Sequence, residues 1–294
     1  MKFRICLFVL FFSFVFLSQA QAENSQEKSL WEYGVGAGFA RISDYPASDE
    51  SRDFFFPFPT FQYRGDILRA DDREGARAYL LRSAKHSIEI GGSGFVALKS
   101  DDNEARKGME DLPWNLQLGP QWVYRPMDDF EFKWGIYRSI LANERMTRLG
   151  GWVSEMQGIW HVDQWLQNSG AFGISTMQGR FSLTLKGGDQ DFHALYFDVS
   201  EKDVTLARTF YESREGFLSA TFSYYQSASF RRWSIYTGVA DSHYQYSANR
   251  ESPLHKADRN FSFFAGVTYR LSESESKSVP VESPGGILKR FQPN

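Results

Sequence analysis

After its first 22 residues the chain has no long hydrophobic run, and this absence excludes a bundle of transmembrane helices. A membrane-spanning helix needs ~20 consecutive apolar residues, and residues 23–294 contain no such stretch. Cysteine is nearly absent as well, because the chain has only Cys6. Residues 23–294 therefore have no disulfide, no cysteine-based metal site and no cysteine nucleophile.

Positive charge is also not in excess. The formal net charge is −3 at pH 7, and no basic tract occurs. Such a chain is a poor candidate for binding nucleic acid, so we expect no nucleic-acid partner. Charged residues make up 23%, hydrophobic residues 42% and aromatic residues 17% of the chain. This composition excludes a disordered chain and a coiled coil.

The first 22 residues have the three parts of an export signal. Lys2 and Arg4 supply the positive charge, Ile5–Leu17 the apolar stretch, and Ala20 and Ala22 the small residues of a cleavage site. The apolar stretch is short and polar residues follow it, so an uncleaved anchor is the poorer interpretation. We expect residues 1–22 to be removed during export.

In the remaining chain, apolar residues recur at every second position, which is the period of a β-strand. From Phe261 to Leu271, alternate residues are apolar and the others are polar or glycine, with Phe264 as the exception. About twelve such segments follow one another, separated by turn-rich stretches, and none of comparable length shows a helical stripe. Further examples lie at residues 33–39, 130–136, 181–185 and 218–224.

Alternation of this kind occurs both in soluble β-sandwiches and in membrane barrels. The export signal, the lack of cysteine after it and the aromatic residues on one strand face favour an outer-membrane barrel. In lipid the sheet must close, and bacterial barrels have an even number of strands. We predict an all-β, antiparallel up-and-down barrel of about twelve strands over residues 23–271. The Ser-, Glu-, Pro- and Gly-rich residues 272–294 predict a flexible periplasmic tail.

The segment 54–61 breaks the regular pattern. Pro57 and Pro59 are two residues apart, so both lack an N–H donor on the same side of a strand. We expect this segment to cross a gap in strand pairing or to lie at the barrel rim.

Charged residues on the polar strand faces predict a lumen with charges of both signs. These charges either pair with one another in a closed interior or line a narrow pore. They are Glu131, Lys133, Lys186 and Arg270.

The chain offers few candidates for catalysis. None of its histidines precedes Ser-Asn, the pattern that places a base beside the serine in phospholipase barrels. Asp241 and His243 share one face of a strand, as an Asp/His protease barrel requires. A polar pair at the barrel mouth is the preferred interpretation, and we expect no catalytic residue.

Metal and nucleotide motifs are equally weak. Asp101–Glu104 begins like a calcium loop, but Arg106 occupies the position of its glycine, so we interpret it as a solvated acidic loop. Gly34, Gly36 and Gly38 have a period of two, unlike a dinucleotide fingerprint. We expect these glycines to make one strand face thin enough for neighbouring side chains, and we expect no cofactor and no metal.

Seven short motifs resemble, in the same order, those of the MipA/OmpV (MltA-interacting protein) family of outer-membrane proteins. They are Gly34–Gly38, Asp44–Glu50, Phe58–Asp66, Leu116–Pro120, Tyr196–Ser200, Ser252–Leu254 and Gly266–Arg270. The resemblance covers the chain from about Trp31 to Leu271. Two positions depart from the family pattern: Asp198 replaces a usual glycine, and Leu271 replaces the usual final aromatic residue.

The resemblance implies a barrel without enzymatic activity in the outer membrane of a Gram-negative cell, in contact with lipid. It also implies a scaffold that joins a lytic transglycosylase to a penicillin-binding protein during peptidoglycan remodelling. Gly266, Tyr269 and Leu271 resemble the last-strand signal that the barrel-assembly machinery binds. A small-solute channel, a surface adhesin and, less favoured, a barrel hydrolase remain open alternatives.

Cleavage after Ala22 is directly testable. We expect the protein isolated from outer membranes to begin at Glu23, as measured by intact mass and N-terminal sequencing. Replacing the small residue at the cleavage site, Ala22→Arg, should leave a precursor that retains Lys2 and Arg4. A mature protein that still carries residues 1–22 would contradict the prediction.

Overall fold

The computed structural model describes residues 28–71, 75–143, 147–163, 176–278 and 286–287. Twelve antiparallel strands form one closed barrel, in which neighbours in sequence pair and β1 also pairs with β12. The predicted up-and-down barrel of about twelve strands is therefore confirmed. The strands are β1 (Trp31–Ser43), β2 (Ser51–Arg64), β3 (Leu68–Asp71), β4 (Gly75–Arg82), β5 (His86–Phe95), β6 (Trp114–Met127), β7 (Phe130–Ala142), β8 (Thr147–His161), β9 (Thr176–Gly188), β10 (Gly216–Phe230), β11 (Trp233–His243) and β12 (Arg259–Glu273).

Helix α1, which spans Gln190–Phe197, was not predicted. Its eight residues make little more than two turns, too few for a helical period to appear in the sequence. The Asp189 carboxylate caps it by accepting the Phe192 N–H at 2.9 Å. Within the described residues, no helix is long and apolar enough to cross a membrane.

Side chains along the strands alternate between the outer surface and the lumen, as predicted. The outward side chains include Trp134, Phe222 and Phe261, which are 44%, 56% and 57% exposed. Leu218 was expected among them, and this expectation is wrong. A bulge between Phe217 and Ser219 shifts the alternation there, and Leu218 is buried in the hydrophobic core.

The two ends of the barrel differ. The connections at one end, here called the loop end, include residues 44–50, 96–113, 189–215 and 244–258. The opposite end, the turn end, has the short connections 65–67, 83–85, 128–129 and 231–232 and one longer connection between β8 and β9, and the chain enters β1 and leaves β12 there. In outer-membrane barrels the long loops are extracellular and the short turns periplasmic.

The four long connections pack against one another across the loop end and form a cap. The cap, defined as residues 44–50, 96–113, 189–215 and 244–258, contains most of the buried apolar core. Core residues of the cap and adjoining wall are Tyr45, Ala47, Leu98, Leu112, Tyr137, Val153, Phe192, Tyr196, Phe197, Val199, Leu218, Tyr244 and Leu254. The principal hydrophobic core therefore lies at the barrel mouth.

Hydrogen bonds between different connections fix the cap. The Tyr45 hydroxyl donates to the Leu254 carbonyl at 2.9 Å, and the Ser252 hydroxyl donates to the Phe197 carbonyl at 2.7 Å. Both bonds are buried, where a satisfied polar group stabilises one arrangement of the chain and an unsatisfied one is costly. The cap is thus a packed, hydrogen-bonded layer that covers the loop end.

The wall of the barrel is incomplete beside β2. This strand has 14 residues, yet in the described part of the chain it pairs with β3 only at Tyr63 and Arg64. The β4 strand pairs with β5 only between Ala78 and Arg82, opposite residues 87–90. Toward the loop end, the facing edges of β2 and β5 therefore have no strand partner among the described residues.

Pro57 and Pro59 lie on this unpaired edge. The Arg64 N–H donates to the Leu30 carbonyl at 2.7 Å, so the N–H groups of even-numbered β2 residues point toward β1. The β1–β2 register has no shift, so odd-numbered positions face away from β1. The two prolines thus remove no ladder hydrogen bond, and the predicted gap in pairing is confirmed.

The chain beyond β12 stays near β1 at first. The β12 strand continues to Glu273, two residues beyond the predicted end of the barrel. Backbone hydrogen bonds then join residues 276–278 to residues 28–30. The flexible tail expected over residues 272–294 stays a prediction, as do the boundaries of the signal.

The cap core predicts a large effect of one side chain. Phe197 is fully buried in the cap, whereas Phe210, in the same connection, is 57% exposed. Phe197→Ala should lower the free energy of unfolding by about 3–5 kcal/mol, and Phe210→Ala by no more than about 0.5 kcal/mol. Urea unfolding of the folded barrel in lipid vesicles measures both; equal effects would contradict the packed cap.

Candidate functional site

The lumen contains a network of buried charges around Glu131. The Glu131 carboxylate lies 2.8 Å from His161 Nε2, 3.6 Å from Arg125 Nη2 and 3.8 Å from Lys133 Nζ. Arg125 also lies 3.7 Å from Glu89, which is fully buried. Each buried carboxylate therefore faces a cation, which offsets the cost of removing it from water.

Other lumenal charges are paired in the same way. Lys186 Nζ lies 3.2 Å from Glu155, and the guanidinium groups of Arg64 and Arg270 lie 2.6 and 3.2 Å from Glu32. The four charged residues predicted to face the lumen are all found there, in ion pairs. Of the two arrangements left open by the sequence, the structure has the paired one.

The opposite part of the lumen is aromatic. Phe56 and Phe58 of β2 face inward and lie over the glycines of β1. A Cβ atom on Gly38 would be 3.2 Å from the Phe56 ring, and one on Gly36 only 2.9 Å from the Phe58 ring. The expected role of these glycines, to leave room for neighbouring side chains, is confirmed. On the next strands, the Phe264 ring lies over Gly238 and the Tyr236 ring over Gly266.

A cavity of about 510 Å³ separates the aromatic from the charged part of the lumen. Its inward-facing lining includes Phe56, Tyr225, Tyr236 and Phe264 on one side and Lys133, Gln157, His161 and Arg180 on the other. Arg180 stacks on Tyr225 at 4.6 Å from the ring centre. Within the described residues, Arg180 has no carboxylate partner.

Lys133 was predicted from the sequence to face the lumen, but Phe56 and Arg180 were not identified as cavity residues. The run Phe54-Phe55-Phe56 contains no alternation, so the inward Phe56 cannot be distinguished from its outward neighbour Phe55. Arg180 occupies one of the polar positions of β9 that face the lumen. Whether a carboxylate lies within reach of it depends on which residues of the neighbouring strands are beside it. Strand register supplies this information, because it places Arg180 beside Tyr225 and Phe264 beside Gly238.

The unpaired edges of β2 and β5 enclose an opening in the wall, here called the lateral window. The β3–β4 hairpin bounds the window toward the turn end. Toward the loop end, Arg52 Nη2 donates to the Ala97 carbonyl at 3.3 Å, and the Glu104 N–H donates to the Glu50 carboxylate at 2.8 Å. These bonds join β2 and the residue that precedes it to the cap connection after β5, so the window is bounded at both ends.

A second cavity, of about 210 Å³, leads inward from the lateral window. Ala76 of β4 and Gly92 and Ser93 of β5 line its outer part, and Lys133 and Gln157 line its inner part. The last two residues also line the larger cavity. The smaller cavity beside the window therefore adjoins the lumenal cavity at these two side chains.

Buried polar groups in the cap do not change charge near neutral pH. Burial lowers the pKa of Arg106 to about 10, so its guanidinium stays protonated and donates to the Tyr196 carbonyl at 3.2 Å. Burial raises the pKa of the Tyr45 and Tyr196 hydroxyls, which stay neutral. Burial also lowers the pKa of His193, which keeps the imidazole neutral beside the Gly216 carbonyl.

Asp241 and His243 lie together on the outer face of β11, near the loop end. His243 Nε2 is 3.3 Å from the Asp241 carboxylate, which also accepts hydrogen bonds from Arg259 at 2.7 and 2.6 Å. The carboxylate is therefore shared between two cationic or polar side chains at the rim. This arrangement agrees with the polar pair preferred from the sequence.

The acidic segment at residues 101–104 forms two short 3₁₀ turns in the cap. Its acidic side chains are exposed, as expected, but Asn103 and Arg106 are buried. The Asn103 amide donates to Asp44 Oδ2 at 2.8 Å, so part of the segment anchors the cap. Among the residues that the structure describes, no group of acidic or histidine side chains is arranged to hold a metal ion.

The remaining predicted residues lie at the two ends of the chain. Ala20 and Ala22 of the export signal are outside the described residues, and their role stays a prediction. Gly266 faces the lumen under the Tyr236 ring, while Tyr269 and Leu271 occupy positions of β12 that face outward. Their role in barrel assembly also stays a prediction.

The solved structures to which the chain is similar include two barrels of low sequence identity. One is titled "Structure of porin refined at 1.8 angstroms resolution" and has a TM-score of 0.26 and 10% identity, covering 82% of this chain and all of that chain. The other, a Pseudomonas aeruginosa FadL homologue, has a TM-score of 0.26 and 7% identity, covering 83% and 91%. With such low scores, neither adds to the fold established by the strand pairing.

The comparison with protein families is more specific. No match is found among the curated proteins. The family described as "MltA-interacting protein MipA" matches residues 35–271, which include nearly all of the barrel. The chain is an outer-membrane β-barrel that belongs to the MltA-interacting protein MipA family.

Proposed function

We propose that this protein is a non-enzymatic outer-membrane scaffold that binds a lytic transglycosylase at its periplasmic turn end. The observation that carries the proposal is membership of a family described as MltA-interacting, since MltA is a lytic transglycosylase. A penicillin-binding protein is the second partner in this proposal. The barrel then holds a hydrolase and a synthase of peptidoglycan near one point of the membrane.

The geometry supports binding at the turn end. The cap covers the loop end with a packed core, which counts against an open channel through the barrel. The turn end, in contrast, exposes charged side chains on short, well-defined turns. Lys85, Asp128, Arg231 and Arg232 are exposed there, and charges of this kind set the orientation and rate of association.

The β10–β11 turn offers a direct test. Arg231 has a positive φ of 53°, a conformation that Asp tolerates better than most residues, so we choose the double change Arg231→Asp and Arg232→Glu. If this turn contacts the partner, recovery of the lytic transglycosylase after crosslinking in gently solubilised envelopes should fall about tenfold, which corresponds to roughly 1.4 kcal/mol.

A matched control makes the same change in charge at the other end. Lys107→Glu with Lys256→Glu alters two exposed cap residues and should leave recovery unchanged. An equal loss in both double variants would show a general effect of charge and contradict binding at this turn. Recovery of only the barrel-assembly machinery by the unaltered protein would contradict the scaffold itself.

One observation favours a second candidate function, adhesion at the cell surface. Two large apolar side chains of the cap are exposed to solvent: Leu206 is fully exposed and Tyr246 is 78% exposed. Exposed apolar side chains of this kind mark interaction sites when they are grouped.

Adhesion predicts that Leu206→Ser with Tyr246→Ser lowers the attachment of intact cells to a protein-coated surface, because the apolar contact area is lost. Attachment is measured by counting bound cells at equal surface levels of the two proteins. The Arg231→Asp and Arg232→Glu variant serves as the control, since its changes face the periplasm. Unchanged attachment of the Ser variant would rule out this role.

A further inference from the structure

We propose that the lumen binds an anionic amphiphile, a hydrocarbon chain with a carboxylate-type head group, which enters from the outer leaflet through the lateral window. Three independent features carry this inference: an opening in the wall, a cavity with two chemically different sides, and a cation that has no carboxylate partner among the described residues.

The position of the window determines what reaches it. The β3–β4 hairpin closes the wall toward the turn end, and the cap contacts of Arg52 and Glu50 close it toward the loop end. The window therefore opens sideways, in the outer half of the membrane, where the neighbouring molecules are lipids. The cap blocks the alternative path for a water-soluble ligand from outside the cell.

Window edges are also suited to an apolar chain. Pro57 and Pro59 remove two N–H groups from the unpaired side of β2, so fewer backbone donors there need a partner. Across the window, β5 presents Gly91, Gly92 and Gly94, which add no side-chain bulk. An edge with few donors also pairs poorly with a β-strand, so we favour a lipid over a partner strand.

The cavity offers separate surfaces for a chain and a head group. Its volume of about 510 Å³ is within the range of ~300–1,000 Å³ typical of ligand pockets. Phe56, Tyr236 and Phe264 form an apolar wall, because their rings lie over glycines of the neighbouring strands. Although Phe56 faces inward, it remains 44% exposed, so an apolar surface is open to a ligand.

Arg180 is the residue that selects an anion. The other lumenal cations near the cavity, such as Lys133, have carboxylates close by, whereas Arg180 has only the Tyr225 ring among the described residues. A guanidinium presents a fork of donors that matches a carboxylate. On neighbouring strands, Phe264 lies opposite Gly238, Gly238 opposite Tyr225, and Tyr225 opposite Arg180. These four residues form one row across the sheet, so the apolar wall leads directly to the cation.

The experiment uses the protein in native outer membranes and a long-chain fatty acid with a photoreactive diazirine and an alkyne tag. Crosslinked positions are mapped by mass spectrometry after irradiation. Outward residues such as Phe222 and Phe261 report lipid around the barrel, and inward residues such as Tyr236 and Phe264 report the lumen. We expect crosslinks in both sets, with the lumenal ones displaced by an excess of the untagged acid.

The head-group contact is tested by Arg180→Gln. Lumenal crosslinks should fall about tenfold relative to outward ones, because a charge-assisted hydrogen bond is lost. Arg41→Gln, on the outer face of β1, is the matched control and should leave the ratio unchanged. The neutral methyl ester of the probe has no carboxylate for Arg180. With the unaltered protein it should therefore show the same low lumenal crosslinking as the acid shows with Arg180→Gln. Heat-dependent gel migration verifies that each variant folds.

Entry through the window is tested with a cysteine, since residues 23–294 contain none. A bulky maleimide on Ser93→Cys, at the window edge, should abolish lumenal crosslinking in a short pulse, while the same label on Ser154→Cys, on the outer face of β8, should not. Absence of lumenal crosslinks, or no effect of Arg180→Gln, would overturn the binding site. Full labelling despite the Ser93 adduct would overturn entry through the window.

Discussion

Backbone hydrogen bonding in a lipid environment is the constraint on which the rest of this structure depends. A strand in hydrocarbon cannot give its N–H and C=O groups to water, so each edge must find another strand and the sheet must close. Twelve strands satisfy this requirement by pairing in sequence order and by joining β12 to β1. Every inward and outward direction of a side chain, and therefore the chemistry of the lumen, follows from the register of this closed sheet.

The same constraint makes the one interruption informative. Where β3 and β4 end early, the edge of β2 carries Pro57 and Pro59 on its unpaired side. Proline removes a donor that would otherwise need a partner, which makes an open edge less costly in that position. The gap is bounded by a hydrogen bond that Arg52 donates and one that the Glu50 carboxylate accepts, so it is a defined opening rather than a frayed end. The smaller cavity lies beside the gap and adjoins the lumenal cavity at Lys133 and Gln157.

Stability is distributed unevenly along the barrel axis. The lumen is maintained by ion pairs around Glu131 and Glu32, which stabilise a polar interior only when both partners are present. The cap instead buries aromatic and aliphatic side chains such as Tyr45 and Phe197, and burial keeps its tyrosines neutral. A scaffold role at the turn end and a lipid-binding role in the lumen use different parts of this molecule, so they are compatible.

The alternation of residues determined the fold class, the approximate strand number, the membrane-facing set and the presence of charges in the lumen, because period two is a local property of a strand. A gap in strand pairing was one of the two arrangements expected from the spacing of Pro57 and Pro59. Tertiary structure alone decided helix α1, the burial of Leu218 and Asn103, the aromatic wall of Phe56 and Phe264, and the position of Arg180 beside the Tyr225 ring. Each depends on which residues of distant segments become neighbours, through register, a bulge or loop packing, and no local pattern records those neighbours.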